Sequence, residues 1–161
     1  MAMPIYMKIV GTSSGEIEGG CTVDEYVGQM QVRAIEHHIS VPTDESTGMH
    51  TGKRVHAPMI ILKDMDSASP VLYKAMTTHE ELEVTLYWYR HEPGSGGEEH
   101  YFTTTLKRAT LVSIGASMKN QYVRENQSEP HMEELRFAYH TIVWDYVPTG
   151  LEAQDSHSQT A

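Results

Sequence analysis

From residue 4 to residue 147 large apolar side chains recur mainly at every second position, and that period restricts most of the chain to β-strands. In Pro4 to Val10, Ile5, Met7 and Ile9 share one side, with Tyr6, Lys8 and Val10 on the other. Met30 to Val41 puts Ile35, Ile39 and Val41 on one side and Ala34, Glu36 and His38 opposite, and Pro42 ends the run. Val55 to Lys63 is apolar on both faces through Met59, Ile60, Ile61 and Leu62, as suits a strand covered on two sides. Glu83 to Arg90 sets Val84, Leu86 and Trp88 inward against Thr85, Tyr87 and Tyr89 outward. Tyr101 to Leu106 answers it across the turn Pro93-Gly94-Ser95-Gly96-Gly97, as in a hairpin. Ala109 to Lys119 and Glu133 to Val147 complete about seven strands. In the last, Leu135, Phe137 and Tyr139 share a face while Ile142 and Trp144 lie on the other, so a bulge resets the phase or both faces are covered.

One segment has helical credentials. Ser69 is placed to cap, Pro70 sits at the first helical position where a missing N–H costs nothing, and Val71, Leu72, Ala75 and Met76 make one buried face that fades near Thr77-Thr78. The sum predicts a mainly β domain over residues 1–147, a closed or sandwiched sheet capped by one short α-helix. Residues 148–161 are polar and read as a disordered tail. Two polar stretches interrupt the strands, Asn120 to Met132 and Pro42 to Arg54. The second carries Gly48 and Gly52, and a loop so long within a compact domain is usually functional or disordered.

Composition narrows the chemistry. With 22 acidic and 12 basic residues in 161, the formal charge is −10, which argues against a nucleic-acid partner, whose binding needs phosphate neutralisation. Cys21 is the single cysteine, so an intrachain disulfide framework and a thiolate cluster are excluded. No apolar run approaches the ~20 residues of a membrane-spanning helix, so stable membrane insertion is not expected. Met1 to Lys8 lacks the pattern of a cleaved signal peptide. Ten histidines raise a metal question. His37 and His38 are adjacent on a strand and point to opposite faces, and His79-Glu80-Glu81-Leu82-Glu83 lacks the second histidine of a zincin helix. No nucleophile elbow and no phosphate-cradling glycine motif occurs. The expectation is a protein that is not an enzyme, with no catalytic residue, metal or cofactor.

Seven ordered segments resemble the hemolysin-coregulated protein (Hcp) family, the tube proteins of bacterial type VI secretion systems. They are Ile5 to Gly11 with Gly15 to Gly19; Val41-Pro42-Thr43-Asp44; Gly52 to Pro58; Ser69 to Ala75; Val84 to Arg90; Tyr101 to Leu106 with Ala109-Thr110; and Ala138-Tyr139 with Ile142 and Trp144-Asp145. The resemblance implies a mainly β, phage tail-tube-like β-barrel of two packed sheets with one short α-helix and a long extended loop, whose copies form hexameric rings stacked into a hollow tube. A contractile sheath would surround that tube, a spike protein tip it, and effector cargo ride in the lumen with the ring as its chaperone. It also implies residence in the bacterial cytoplasm until firing and secretion afterwards. On this reading residues 30–41 line the lumen, with Ala34, Glu36 and His38 facing cargo. Residues 42–54 are then an inter-subunit arm carrying Thr43, Asp44, Gly48, Gly52, Lys53 and Arg54. The strands Glu83–Arg90 and Glu133–Val147 lack prolines and are expected to offer edges to neighbours. A phage-type tail-tube protein, and a β-barrel ligand-binding or enzyme domain, remain the alternatives.

Overall fold

The structure, a computed structural model, describes residues 3–157. Its strands are β1 (Ile5–Gly11), β2 (Gly15–Ile17), β3 (Met30–Glu36), β4 (Ile39–Ser40), β5 (Val55–His56) and β6 (Met59–Asp64). After the helix α1 (Ser69–Thr77) come β7 (Leu82–His91), β8 (Glu98–Ser117), β9 (Met132–Ala138), β10 (Thr141–Tyr146) and β11 (Leu151–Ser156). The main sheet runs β11-β10-β8-β7-β1-β3-β6-β9, with β2 beside β1, and a second small sheet pairs β4 with β5. β8 also pairs with β9, so β8, β7, β1, β3, β6 and β9 close on themselves as a barrel. The expected β-rich fold with one helix is what forms.

Closure depends on β8, a single strand of 20 residues where two shorter ones were expected. Its first half lies between β7 and β10, with Val84 opposite Leu106 and Ile142 opposite Leu106. Its second half pairs with β9, from Thr110 beside Ala138 to Ser117 beside Met132. Arg108, at φ +50, sits at the handover between the two halves. The core inside contains Met7, Ile9, Ile61, Leu86, Leu106, Leu135, Phe137 and Ile142, all fully buried. Each such side chain contributes roughly 1.5–3 kcal/mol relative to exposure.

Several boundaries differ from the sequence reading. The run 30–41 breaks at His37-His38, and Ile39 and Val41, expected in the core beside Ile35, are 38% and 39% exposed because the chain has already left the barrel. The run 55–63 breaks at Ala57-Pro58. The run 133–147 breaks at Tyr139-His140, where the His140 N–H donates to the carbonyls of Lys107 and Arg108. That break, and no bulge, resets the phase, so Phe137, Tyr139 and Ile142 are all buried.

The tail reading is overturned for Leu151–Ser156. These residues form β11, paired with β10 from Tyr146 beside Leu151 to Thr141 beside Ser156. Polar side chains suit an edge strand whose order comes from the backbone ladder. Residues 158–161 lie outside the described residues.

The helix packs as expected, with Leu72 and Ala75 buried and Val71 and Met76 against the core. Ser69 is its first residue, however, and Ala68 takes the cap position. The Ser69 hydroxyl instead accepts from the Asp66 N–H (3.0 Å) and donates to Glu133 Oε1 (2.8 Å). Glu133 Oε1 also lies 2.6 Å from Lys63 Nζ, and both side chains are buried inside the barrel wall. At the other end of the helix Glu80 accepts from the backbone N–H groups of Ser13 and Ser14 and from the Ser14 hydroxyl. Burial would raise its pKa, but those donors outweigh it and the carboxyl is held below its ordinary value. A Cβ on Gly11 would lie 2.5 Å from Glu80 Oε1, so glycine permits this tie between the β1–β2 turn and the helix end.

Candidate assembly surfaces

Free backbone edges are not where the lack of prolines suggested. β7 lies between β1 and β8, β9 between β6 and β8, and β10 between β8 and β11, so Glu83–Arg90 and Glu133–Val147 have no edge to offer. Barrel closure uses both sides of each. Among the described residues β11 pairs on one side only, and its outer edge faces away from the barrel. The aromatic run divides between the two faces of β7. Trp88 turns inward and donates from Nε1 to Thr104 Oγ1 (3.1 Å), but Tyr89 packs against Tyr6 and Tyr26, whose rings stack 4.0 Å apart.

Residues 37–58 connect β3 to β6 as an arm that is ordered by its own hydrogen bonds. At its base Ile39 pairs with His56 and Ser40 with Val55. Further out Thr43 bridges His50, and the Thr51 N–H donates to the Pro42 carbonyl (2.8 Å). The tip is a tight turn. The Gly48 N–H donates to the Asp44 carbonyl (2.7 Å), the Ser46 N–H to Asp44 Oδ1 (2.8 Å), and Gly48 takes φ +69, which glycine adopts without penalty. Thr43, Gly48, Gly52 and Lys53 are exposed, with Asp44 half-buried in the turn that it makes. Met49 is 68% and Val55 54% exposed, so the arm holds apolar side chains away from its own barrel.

Arg54, expected on the inter-subunit arm, lies at the root of that arm. Its guanidinium turns back and donates to both carboxylate oxygens of Asp155 on β11 (2.5 and 2.7 Å) and to the Ser156 carbonyl (3.1 Å). Beside it His56 contacts Asp155 through Nε2 (2.7 Å) and the Tyr139 hydroxyl through Nδ1 (2.7 Å). His37 Nε2 reaches the same hydroxyl (2.6 Å), and the His157 ring lies 4.8 Å from that of His56. A neutral His56 satisfies this chain in one direction: Nε2–H donates to Asp155, the Tyr139 O–H donates to His56 Nδ1, and the His37 Nε2–H donates to the Tyr139 oxygen. Hydrogen bonding from Arg54 holds the Asp155 carboxyl below its ordinary pKa, against burial, with His56 helping. Burial first, then the Asp155 charge, pushes the Tyr139 phenol up. Burial lowers His37 and His157, and neighbouring histidines add to this. The cluster therefore clamps the root of the arm to β11 and the β9–β10 break. Sequence reading missed it, because Asp155 lay in the presumed tail and the histidines appeared scattered.

Ala34 and Glu36 are exposed on β3, and His38 is exposed just beyond it, with Nε2 3.0 Å from Glu36 Oε1. The three occupy one accessible stretch, whereas Ile35 between them packs on the core.

Residues 6–146 match the family model for the type VI secretion system effector Hcp. The chain is 37% identical over 165 residues to the "Major exported protein" of Pseudomonas aeruginosa, covering 96% of this chain and 95% of that protein. Among solved structures, the Hcp1 protein from E. coli EAEC 042, in a double-mutant form, superposes with a TM-score of 0.84 at 32% identity, covering 96% of this chain and 99% of that one. The secreted protein Hcp3 from Pseudomonas aeruginosa gives 0.80 at 31% identity, covering 98% and 100%. Similarity of this extent in sequence and in fold leads to one conclusion: the chain belongs to the Hcp family of type VI secretion system proteins.

Proposed function

We propose that this chain is the structural subunit of a type VI secretion tube. Six copies close into a ring, and rings stack into a hollow tube that a contractile sheath expels behind a spike protein. The protein is made in the bacterial cytoplasm and exported with the tube. Names of relatives speak for export, one a major exported protein and another a secreted Hcp3. The observation that carries the reading is the arm, an ordered hairpin whose Ile39, Val41, Met49 and Val55 are exposed. Apolar side chains held out on a rigid protrusion are stabilised when a partner covers them. The outer edge of β11 over residues 151–155 has no ladder partner among the described residues, and a neighbour's strand can meet it. Nothing in this use needs a reactive group; the surfaces and the enclosed hole do the work.

The lumen is assigned to the β3 stretch, with Ala34, Glu36 and His38 meeting effector cargo and the ring acting as its chaperone. Negative-stain electron microscopy of the purified protein tests the ring, and six-fold annular particles are expected. Glu36→Arg tests the lumen: rings persist and cargo retention changes. Loss of the rings themselves would place Glu36 in a subunit contact instead.

A further inference from the structure

The arm has a counterpart at the far end of the same sheet. β3 and β6 form one antiparallel hairpin, and the arm is its connection, beginning beyond the pair Glu36–Ile60. β9 and β8 form the adjoining hairpin, closed at Ser117 beside Met132 by residues 118–131. β6 and β9 are neighbours, with Met59 beside Phe137 and Asp64 beside Met132. The arm therefore leaves from the Met59 end and the 118–131 loop from the Asp64 end, about 17 Å apart along the strands.

This second connection is also tied by its own hydrogen bonds and exposes apolar side chains. Asn120 organises it, with Oδ1 accepting from the Tyr122 N–H (2.9 Å) and its carbonyl accepting from Asn126 Nδ2 (3.1 Å). Lys119 Nζ ties to Glu129 Oε1 across its base (3.1 Å). On this frame Tyr122 is 99% exposed, Met118 61% and Val123 41%. Charge also sets the two protrusions apart. Residues 42–54 carry Asp44 and Glu45 against Lys53 and Arg54, and residues 118–131 carry Glu125 and Glu129 against Lys119 and Arg124. Both are formally neutral in a chain of −10, so they are surfaces on which copies can meet with little repulsion.

We propose that the 118–131 loop is the surface that receives the arm of an adjacent copy, with Tyr122 and Met49 at the centre of the contact. Two different surfaces from opposite ends make a heterologous contact, the kind that propagates around a ring or along a stack, whereas arm-to-arm pairing would stop at two copies. A thioether against an exposed tyrosine ring is a favourable pair, and tyrosine is a frequent anchor of interfaces. The proposal rests on the tube-subunit reading and names the partner surface of its arm.

Directed cross-linking tests it. In a Cys21→Ser background, one chain carries Met49→Cys and another Tyr122→Cys. Oxidation is expected to give a covalent dimer only when the two variants are mixed, and a ladder of chains when both substitutions are on one polypeptide. A separate Tyr122→Ala variant, at a position too exposed to disturb folding, is expected to weaken assembly about tenfold or more. Annular particles that give no mixed cross-link, or each variant cross-linking to itself, overturn the arm-to-loop pairing alone. A protein that forms no particles at all overturns this pairing together with the tube reading.

Discussion

Replacing Glu133 by leucine should destabilise the barrel more than replacing Glu133 and Lys63 together. Lys63 Nζ lies 2.6 Å from Glu133 Oε1, 2.8 Å from Asp66 Oδ1 and 3.0 Å from the Asp64 carbonyl, with side-chain exposures of 1% for Lys63 and 0% for Glu133. Glu133→Leu leaves an ammonium in the wall of the barrel with one carboxylate, Asp66, still beside it. Breaking a buried pair from one side costs about 3–5 kcal/mol, and the remaining Asp66 contact puts this case near the lower end, at about 3 kcal/mol. That is about two orders of magnitude in the unfolding equilibrium. Lys63→Met/Glu133→Leu removes both charges; Ser69 Oγ loses an acceptor and Asp66 a cation, but Asp66 keeps the N–H groups of Gly20 and Ala68, so the cost is about 1–2 kcal/mol. Urea unfolding of the wild type, both single variants and the double, at one protein concentration so that assembly affects all equally, gives the coupling directly. A double variant as unstable as Glu133→Leu, or a single loss under about 1 kcal/mol, would mean that the pair does not act through mutual neutralisation.

Other outcomes follow from the arm root and the overall charge. His37, His157 and Asp155 all bind their protons less readily folded than unfolded, so arm anchoring should be complete above ~6.5, the ordinary histidine value, and weaken as pH falls through the folded histidine and then aspartate values. Hydrogen exchange of residues 37–57 at several pH values, corrected for intrinsic rates, reads this, and protection that grows on acidification contradicts it. Tyr139→Phe keeps the ring but removes the hydroxyl shared by His37 and His56, and should cost about 1–3 kcal/mol in urea unfolding; an unchanged midpoint would mean that water replaces it. Six copies at −10 carry a formal −60, so assembly should rise from very dilute buffer to ~0.15 M salt, where the Debye length is about 8 Å. A steady loss of assembly over that range in light scattering would mean that attractive ion pairs dominate.

Period two was readable wherever a strand buries one face, as at Met7 and Ile9 or Val84 and Leu86. It misled where closure of the barrel, and no local residue preference, decides the path. Nothing local announces that β8 continues through Arg108, or that the chain steps aside at Tyr139-His140 to change partner. β11 escaped notice because Glu152, Gln154 and Asp155 have no buried face to pattern, and its order comes from β10 and from Arg54. Lys63 read as an ordinary strand lysine because its two carboxylate partners come from a following turn and from β9. The arm was legible as a long polar segment. Its root was not, since His56 meets Tyr139 83 residues on and Asp155 99 residues on.

The proposed ring of six has a mass that can be measured. Sedimentation velocity across a concentration series weighs the particle directly. Six subunits of 18.1 kDa predict a species of about 109 kDa that persists on dilution, with heavier stacks as concentration rises. A single species of 18.1 kDa at every concentration would contradict the claim.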